Sequence, residues 1–160
     1  MTPAPLARPW YRRPDVWLPL AVLAAALAVY TATLGPTIDF WDTAEYVTVS
    51  HIVGVPHQPG TPLYVLVGRV FDVLLGQPDI TEPSYRSAWA VNVMSALFSA
   101  LAVMMVYLIV VRVARRNDPD AGWLARAGGL TGAVFLLFSD TFWNNAIEAE
   151  VYGLAAFMMT

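Results

Sequence analysis

From Ser87 to Val111 the chain carries no charged residue, with Arg86 immediately before the stretch and Arg112 immediately after it. Crossing a hydrocarbon core of about 30 Å takes roughly 20 apolar residues at about 1.5 Å of helix rise each. The Ser87–Val111 run is long enough, and its polar flanks lie where headgroups would be. It predicts a membrane-spanning helix. Ser95, Ala96, Ser99, Ala100 and Ala102 give that helix a small-residue face suited to close packing against neighbours.

Further apolar stretches surround it. The chain is uncharged from Val16 to Ile38, with Pro19 expected in the first helical turn and Trp17 and Tyr30 suited to interfacial depth. A cleaved signal peptide with Arg8, Arg12 and Arg13 as its basic region competes with an anchor. The apolar stretch exceeds a signal h-region of roughly 7–15 residues, which favours the anchor. A third span is expected at about 124–143, with Arg126 and Asp140 near its ends and Gly128, Gly129 and Gly132 marking a tightly packed face. A fourth begins near Val151 and reaches only Thr160, too short to cross, which predicts a fragment of a longer protein. Composition agrees: 58% of residues are hydrophobic and 13% charged, against roughly 45–50% and about 25% in soluble domains. The absence of cysteine excludes disulfides, thiolate metal sites and a cysteine nucleophile. The densest basic cluster (Arg112, Arg115, Arg116) closes an apolar segment and resembles no nucleic-acid patch, so nucleic acid is not an expected partner.

All nine basic residues are arginines, and their placement predicts orientation. Arg8, Arg12 and Arg13 precede the first span; Arg112, Arg115, Arg116 and Arg126 separate the second from the third. Both groups belong on the cytoplasmic side. The loop 39–86 holds Asp39, Asp42, Glu45, Asp72, Asp79 and Glu82 against Arg69 and Arg86, and so faces outward. The expected organisation is a cytoplasmic segment 1–15 and one membrane domain 16–160, with spans at about 16–38, 87–111 and 124–143 and an incomplete one from 151.

The outer loop holds the candidate chemistry. Leu63–Leu75 reads as a short amphipathic helix lying in the membrane interface, with Arg69, Asp72 and Gly76 on one face. HQPGTP before it enforces a rigid turn. Residues 43–53 are ambiguous: β-branched side chains suit a strand, whereas an Asp42 cap would start a helix. In a helix Asp42 and Glu45 share a face, and Trp41 and Tyr46 beside them would raise a carboxylate pKa toward that of a base; a solvated loop with a capping Asp is the plainer alternative. Glu148 and Glu150, two apart, diverge by about 200° on a helix, so only one is expected to face a shared site. The site is then a chamber lined by Asp42, Glu45, His57 and one glutamate. His57 could bind phosphate, ligate a metal or stabilise its turn, and no His/Asp spacing matches a known metal-ligand pattern.

Four motifs in order, YTATLGPTIDFWDTAEY, VGVPHQPGTPLYVLVGRVF, NVMSALFSALAVMMVYL and FSDTFWNNAIEAEVYGL, resemble a bacterial membrane family known as a domain of unknown function. That family is related to transmembrane protein O-mannosyltransferases and, more distantly, to lipid-linked sugar transferases of the GT-C fold. The resemblance implies an all-α integral membrane protein, the N-terminal part of a GT-C-type multi-span fold with interfacial helices in its outer loop. It implies an inverting glycosyltransferase of the bacterial inner membrane, N-terminus cytoplasmic, taking a sugar such as mannose from a polyprenyl-phosphate donor to a protein or glycan hydroxyl. The lipid bilayer, the donor and the acceptor are then its partners; no cofactor is certain, a divalent metal is a candidate, and the 160 residues alone are expected to be inactive. Asp42 matches the essential acid after the first span and Glu45 the second acid of that motif. His57, Pro59, Gly60, Thr61 and Tyr64 match the turn, and Glu150 and Tyr152 the second outer motif. Arg69 and Arg86 join His57 as candidates for the donor phosphate. Two positions depart from the pattern: Gly-Asp-Ser-Gly-Glu is commonly found where this chain has Trp-Asp-Thr-Ala-Glu, and Gln58 replaces a usual proline. A non-catalytic anchor or assembly subunit, or a transporter fragment, is the alternative.

Overall fold

A computed structural model describes residues 13–38, 41–76 and 84–160, so Arg8, Arg12, Asp39, Asp79 and Glu82 lie outside the described residues. Among the described residues all regular structure is helical: α1 (Pro14–Ala32), α2 (Thr43–Ile52), α3 (Pro62–Leu75), α4 (Tyr85–Asn117), α5 (Gly122–Leu137), α6 (Asp140–Ile147) and α7 (Val151–Met159). The helix α4 is the axis of the fold and touches each of the other six. It starts where the Ser84 hydroxyl accepts the Ser87 N–H at 3.2 Å, and Arg115 and Arg116 in its last turn complement the helix dipole. At 33 residues it is about 50 Å long, more than one bilayer core requires.

The small-residue face read from the sequence is the packing face. Ser95, Ala96, Ser99, Ala100 and Ala102 are all buried. Around Ala96, Ala100, Val103 and Tyr107 pack Ala26 and Tyr30 of α1 and Ala125, Ala133 and Leu137 of α5, forming one core. A second core lies nearer the start of α4, where Ala88, Val91 and Met94 meet Tyr46 and Val47 of α2, Tyr64 and Val65 of α3, and Leu154 of α7. Polar anchors fix the path between them. The buried amide of Asn92 donates to the carbonyls of Gly35 and Thr37 at 2.8 and 3.1 Å, holding the chain as it leaves α1.

Three elements differ from the sequence reading. The first helix stops at Ala32, short of Ile38, because Gly35 and Pro36 follow; Pro14, not Pro19, occupies its first turn. The ambiguous stretch 43–53 is helix α2. Its buried residues Thr43, Tyr46, Val47 and Ser50 follow the i, i+3, i+4, i+7 spacing of a helix, which overrides the β preference of Val and Thr. The third expected span is broken. After α5 the chain turns at Phe138–Ser139 and restarts as α6 at an angle of 65°, with Ser139 in extended backbone. The Trp143 indole N–H donates to the Thr33 hydroxyl at 3.0 Å, pinning α6 to the end of α1.

Helices α1 and α4 are each long and apolar enough to cross a membrane, and α5 with α6 makes a third candidate as one bent span. Asp15 accepts from Arg115 at 2.8 Å and from the Arg126 guanidinium at 3.0 and 3.2 Å. These bonds gather the start of α1, the end of α4 and the start of α5 at one end of the bundle. The α2–α3 hairpin, α6 and the start of α7 lie at the other end, and the acidic side chains meet there.

Candidate active site

The hairpin α2–α3 positions the acids, and a buried polar clamp holds the hairpin. His51 Nδ1 lies 2.8 Å from Asp72 Oδ2, with His51 buried and Asp72 wholly so. One nitrogen of the Arg69 guanidinium donates to the same carboxylate oxygen at 2.8 Å and to the His51 carbonyl at 2.7 Å. Packing is as close as the bonding. A Cβ at Gly68 would collide with the side chain of Ser50, so only glycine lets α3 lie this near α2. Tyr64, buried, stacks edge-on against Tyr46 with ring centroids 5.1 Å apart.

At the N-terminal end of α2 stand Asp42 and Glu45. Asp42 occupies the cap position but makes no side-chain capping bond, so its carboxylate is left for other work. Glu45 grips the HQPGTP turn: its Oε1 accepts the His57 backbone N–H at 2.7 Å, and its Oε2 lies 2.7 Å from the His57 ring Nδ1. The other ring nitrogen, Nε2, is 3.9 Å from Asp42 Oδ2. These partners shift each other's titration. The His57 hydrogen bonds hold Glu45 below the usual carboxylate range, and Glu45 raises the His57 imidazole. The aromatic neighbours of Glu45 therefore do not push it toward a base, as the sequence suggested, because it is half-exposed and hydrogen-bonded.

The perturbed acid is Glu150. It is buried beside Asp42 and Glu148, and burial together with those two charges pushes it up to about 7. Glu148 and Glu150 do not diverge: both lie in extended backbone in the break between α6 and α7. Residues two apart in extended chain point the same way, so both line one cavity. That cavity, about 340 Å³, is bounded by Trp41, Asp42, Asp140, Thr141, Asn144, Asn145, Glu148, Glu150 and Tyr152. The buried Thr43 hydroxyl donates to Glu148 Oε2 at 3.4 Å, tying the start of α2 to the α6–α7 break.

The sequence-derived residues thus divide. Asp42, Glu150 and Tyr152 line the cavity, and the hydrogen-bonded Glu45–His57 pair lies beside Asp42. Gly60 and Thr61 line a separate apolar groove of about 230 Å³ with Val53, Val55 and Leu66; Pro59 belongs to the same turn. Tyr64 is in the hairpin core, Arg69 is in the clamp, and Arg86 is exposed on the first turn of α4. Sequence reasoning missed the α6 lining residues Asp140, Thr141 and Asn144. The polar run SDTFWNNAIEAE inside apolar surroundings was their signal. It also missed His51, whose buried partner Asp72 was visible only as part of a helix face.

One ligand atom each from Asp42, Glu45 and His57 lie within 4.8 Å of one another, and carboxylate with imidazole is a donor set that a divalent ion accepts. Such an ion would have to displace the Glu45–His57 ring contact.

The profile of the family described as protein O-mannosyl-transferase TMEM260 N-terminal domain matches residues 42–160. Protein O-mannosyl-transferase TMEM260 of Mus musculus is 32% identical over 153 residues, covering 96% of this chain and 19% of that protein. The Dictyostelium discoideum protein O-mannosyl-transferase tmem260 is 28% identical over 126 residues, 79% of this chain and 14% of its own. The chain thus spans less than a fifth of these curated relatives. No solved structure matches it.

Proposed function

This chain belongs to the protein O-mannosyl-transferase TMEM260 N-terminal domain family and is an integral membrane protein, and on that premise we propose that it forms the N-terminal part of a protein O-mannosyltransferase. In this reading a polyprenyl-phosphate donor gives its mannosyl group to a hydroxyl of a protein acceptor. The reaction occurs on the outer face of a bacterial inner membrane, with the N-terminus cytoplasmic. The observation that carries it is one cavity bounded by both Asp42 and Glu150, with the hydrogen-bonded Glu45–His57 pair beside Asp42.

The chemistry follows from inversion. An acceptor hydroxyl attacks the anomeric carbon as its proton passes to Asp42; the bond from that carbon to the phosphate oxygen breaks, and the phosphate leaves with the electron pair. Base and leaving group must lie on opposite faces of the sugar. With its Nε2 only 3.9 Å from Asp42, His57 is on the base's side. Its role is to hold Glu45 ionised rather than to take the phosphate. Arg69 is committed to Asp72 and the His51 carbonyl, and Arg86 does not line the cavity. The cation that receives the phosphate then comes from outside this cavity's described lining. A divalent ion would be held by Asp42, Glu45 and His57, on the base's side, where it would acidify the acceptor hydroxyl rather than stabilise the phosphate.

The test is Asp42→Asn in the complete protein, assayed for mannose transfer to a hydroxyl-bearing peptide. Loss of about 100-fold or more in kcat is expected for a general base. Transfer at the wild-type rate would remove Asp42 from the mechanism.

A further inference from the structure

The cavity beside Asp42 has a chemistry that decides which part of a substrate it can accept. Asp42, Asp140, Glu148 and Glu150 contribute carboxylates, and none of the described lining residues carries a positive charge. A phosphate brought here would meet like charge on several sides. A neutral polyhydroxyl group meets the opposite situation. Ionised carboxylates only accept hydrogen bonds, a protonated Glu150 also donates one, and sugar hydroxyls can do both. Asn144 offers both a donor and an acceptor from the exposed face of α6, whereas the Asn145 amide already donates to the Thr141 carbonyl at 2.7 Å.

Two aromatic side chains complete the lining. Trp41 is 90% exposed and Tyr152 59% exposed, the first held outward by a left-handed backbone with φ 59°. The exposed Trp41 ring forms one wall of the cavity and offers an aromatic face to whatever the cavity holds. The axial C–H face of a hexose is apolar and fits flat on an aromatic face, while its equatorial hydroxyls point to the side. At about 340 Å³ the cavity lies at the lower end of the roughly 300–1,000 Å³ range of small-ligand sites.

We propose that this cavity is a hexose subsite: Trp41 stacks on the sugar face, Asn144 and Asp140 on α6 read its hydroxyls, and the donor phosphate stays outside. The inference rests on the transferase reading and adds to it the residues that select the sugar. Neither Trp41 nor any α6 residue was expected from the sequence to bind substrate.

The experiment uses the complete protein in lipid nanodiscs with Trp41→Ala, Asn144→Ala and the isosteric Asn144→Asp. Saturation-transfer NMR with methyl α-mannoside measures sugar binding directly. Signal from the wild type, lost in Trp41→Ala and weakened about tenfold in both Asn144 variants, is expected. Inorganic phosphate should not displace the sugar. In the transfer assay, Asn144→Asp should raise KM for the mannosyl donor about tenfold, leave KM for the acceptor unchanged, and narrow the preference for mannosyl over glucosyl donor. A wild type that transfers mannose with all three variants unchanged in donor KM overturns the subsite and leaves the transferase reading intact. A wild type that binds methyl mannoside through Trp41 and Asn144 but transfers nothing overturns the transferase reading and keeps the sugar site. Displacement by phosphate, or no mannoside binding at all, overturns the subsite.

Discussion

The Glu45 carboxylate holds His57 twice, one oxygen on its backbone N–H and the other on its imidazole, each at 2.7 Å. This clasp ties the first turn of α2 to the loop that leads into α3. His57 is raised by it, so its share of stability is complete below the unfolded value of about 6.5 and fades as pH climbs through the folded midpoint. Glu45 is lowered, so its share is present above about 4.3 and is lost as pH falls through its folded midpoint. The clasp is therefore tightest between those limits. The chain has two histidines, so imidazole NMR resolves His57 directly. In Glu45→Gln its midpoint should fall toward the ordinary value. A midpoint that does not move would mean that the clasp is not populated.

The clamp beneath it should matter more for stability. Asp72 is wholly buried and receives both His51 and Arg69. Asp72→Ala removes the buried carboxylate that His51 and Arg69 share and leaves Arg69 only the His51 carbonyl, a cost of about 3 kcal/mol. Thermal unfolding in detergent should show the loss. A cost below about 1 kcal/mol would mean that water reaches the clamp and replaces the carboxylate.

The glycines of α5 separate by geometry. A Cβ at Gly129 would come within 2.7 Å of Val111 Cγ2 and 3.0 Å of the Tyr107 carbonyl, whereas at Gly132 the nearest atoms of Val110 and Val106 stand at 3.6 and 3.7 Å. Backbone cannot step aside as a side-chain tip can. Gly129→Ala should destabilise by about 1–3 kcal/mol, and Gly132→Ala should be neutral or mildly stabilising through the better helix propensity of alanine. Equal effects at the two positions would contradict the observed packing of α5 on α4.

This contrast marks how far the sequence could be read. It exposed the Gly128, Gly129 and Gly132 stripe but not which member touches a neighbour, because that depends on how α5 is rotated against Tyr107. Charge-free length sufficed to find α4, charge placement and spacing led to Asp42, Glu45 and His57, and the motif resemblance singled out Glu150. Spacing failed where backbone changes type. The 200° divergence of Glu148 and Glu150 assumed a helix, and the break at 148–150 turned both into one cavity. Arg69 looked like a free outward cation because its partners, the carboxylate of Asp72 and the carbonyl of His51, come together only when α2 folds back on α3.

Glu150 supplies the last prediction. Its carboxyl is pushed up to about 7 by burial, with Asp42 and Glu148 adding to the effect, whereas in the unfolded chain it titrates near 4.3. Between those values the folded state binds the extra proton, so stability falls as pH rises from about 4.3 to 7 and levels off above. The whole loss is on the order of 3 kcal/mol. Glutamine keeps the shape and cannot ionise. Glu150→Gln should therefore lie closest to the wild type near pH 4 and exceed it most at pH 8, with most of the slope between them gone. Unfolding midpoints recorded across that range decide it: a slope that survives the substitution belongs to other groups, and Glu150 would then be an ordinary ionised acid at neutral pH.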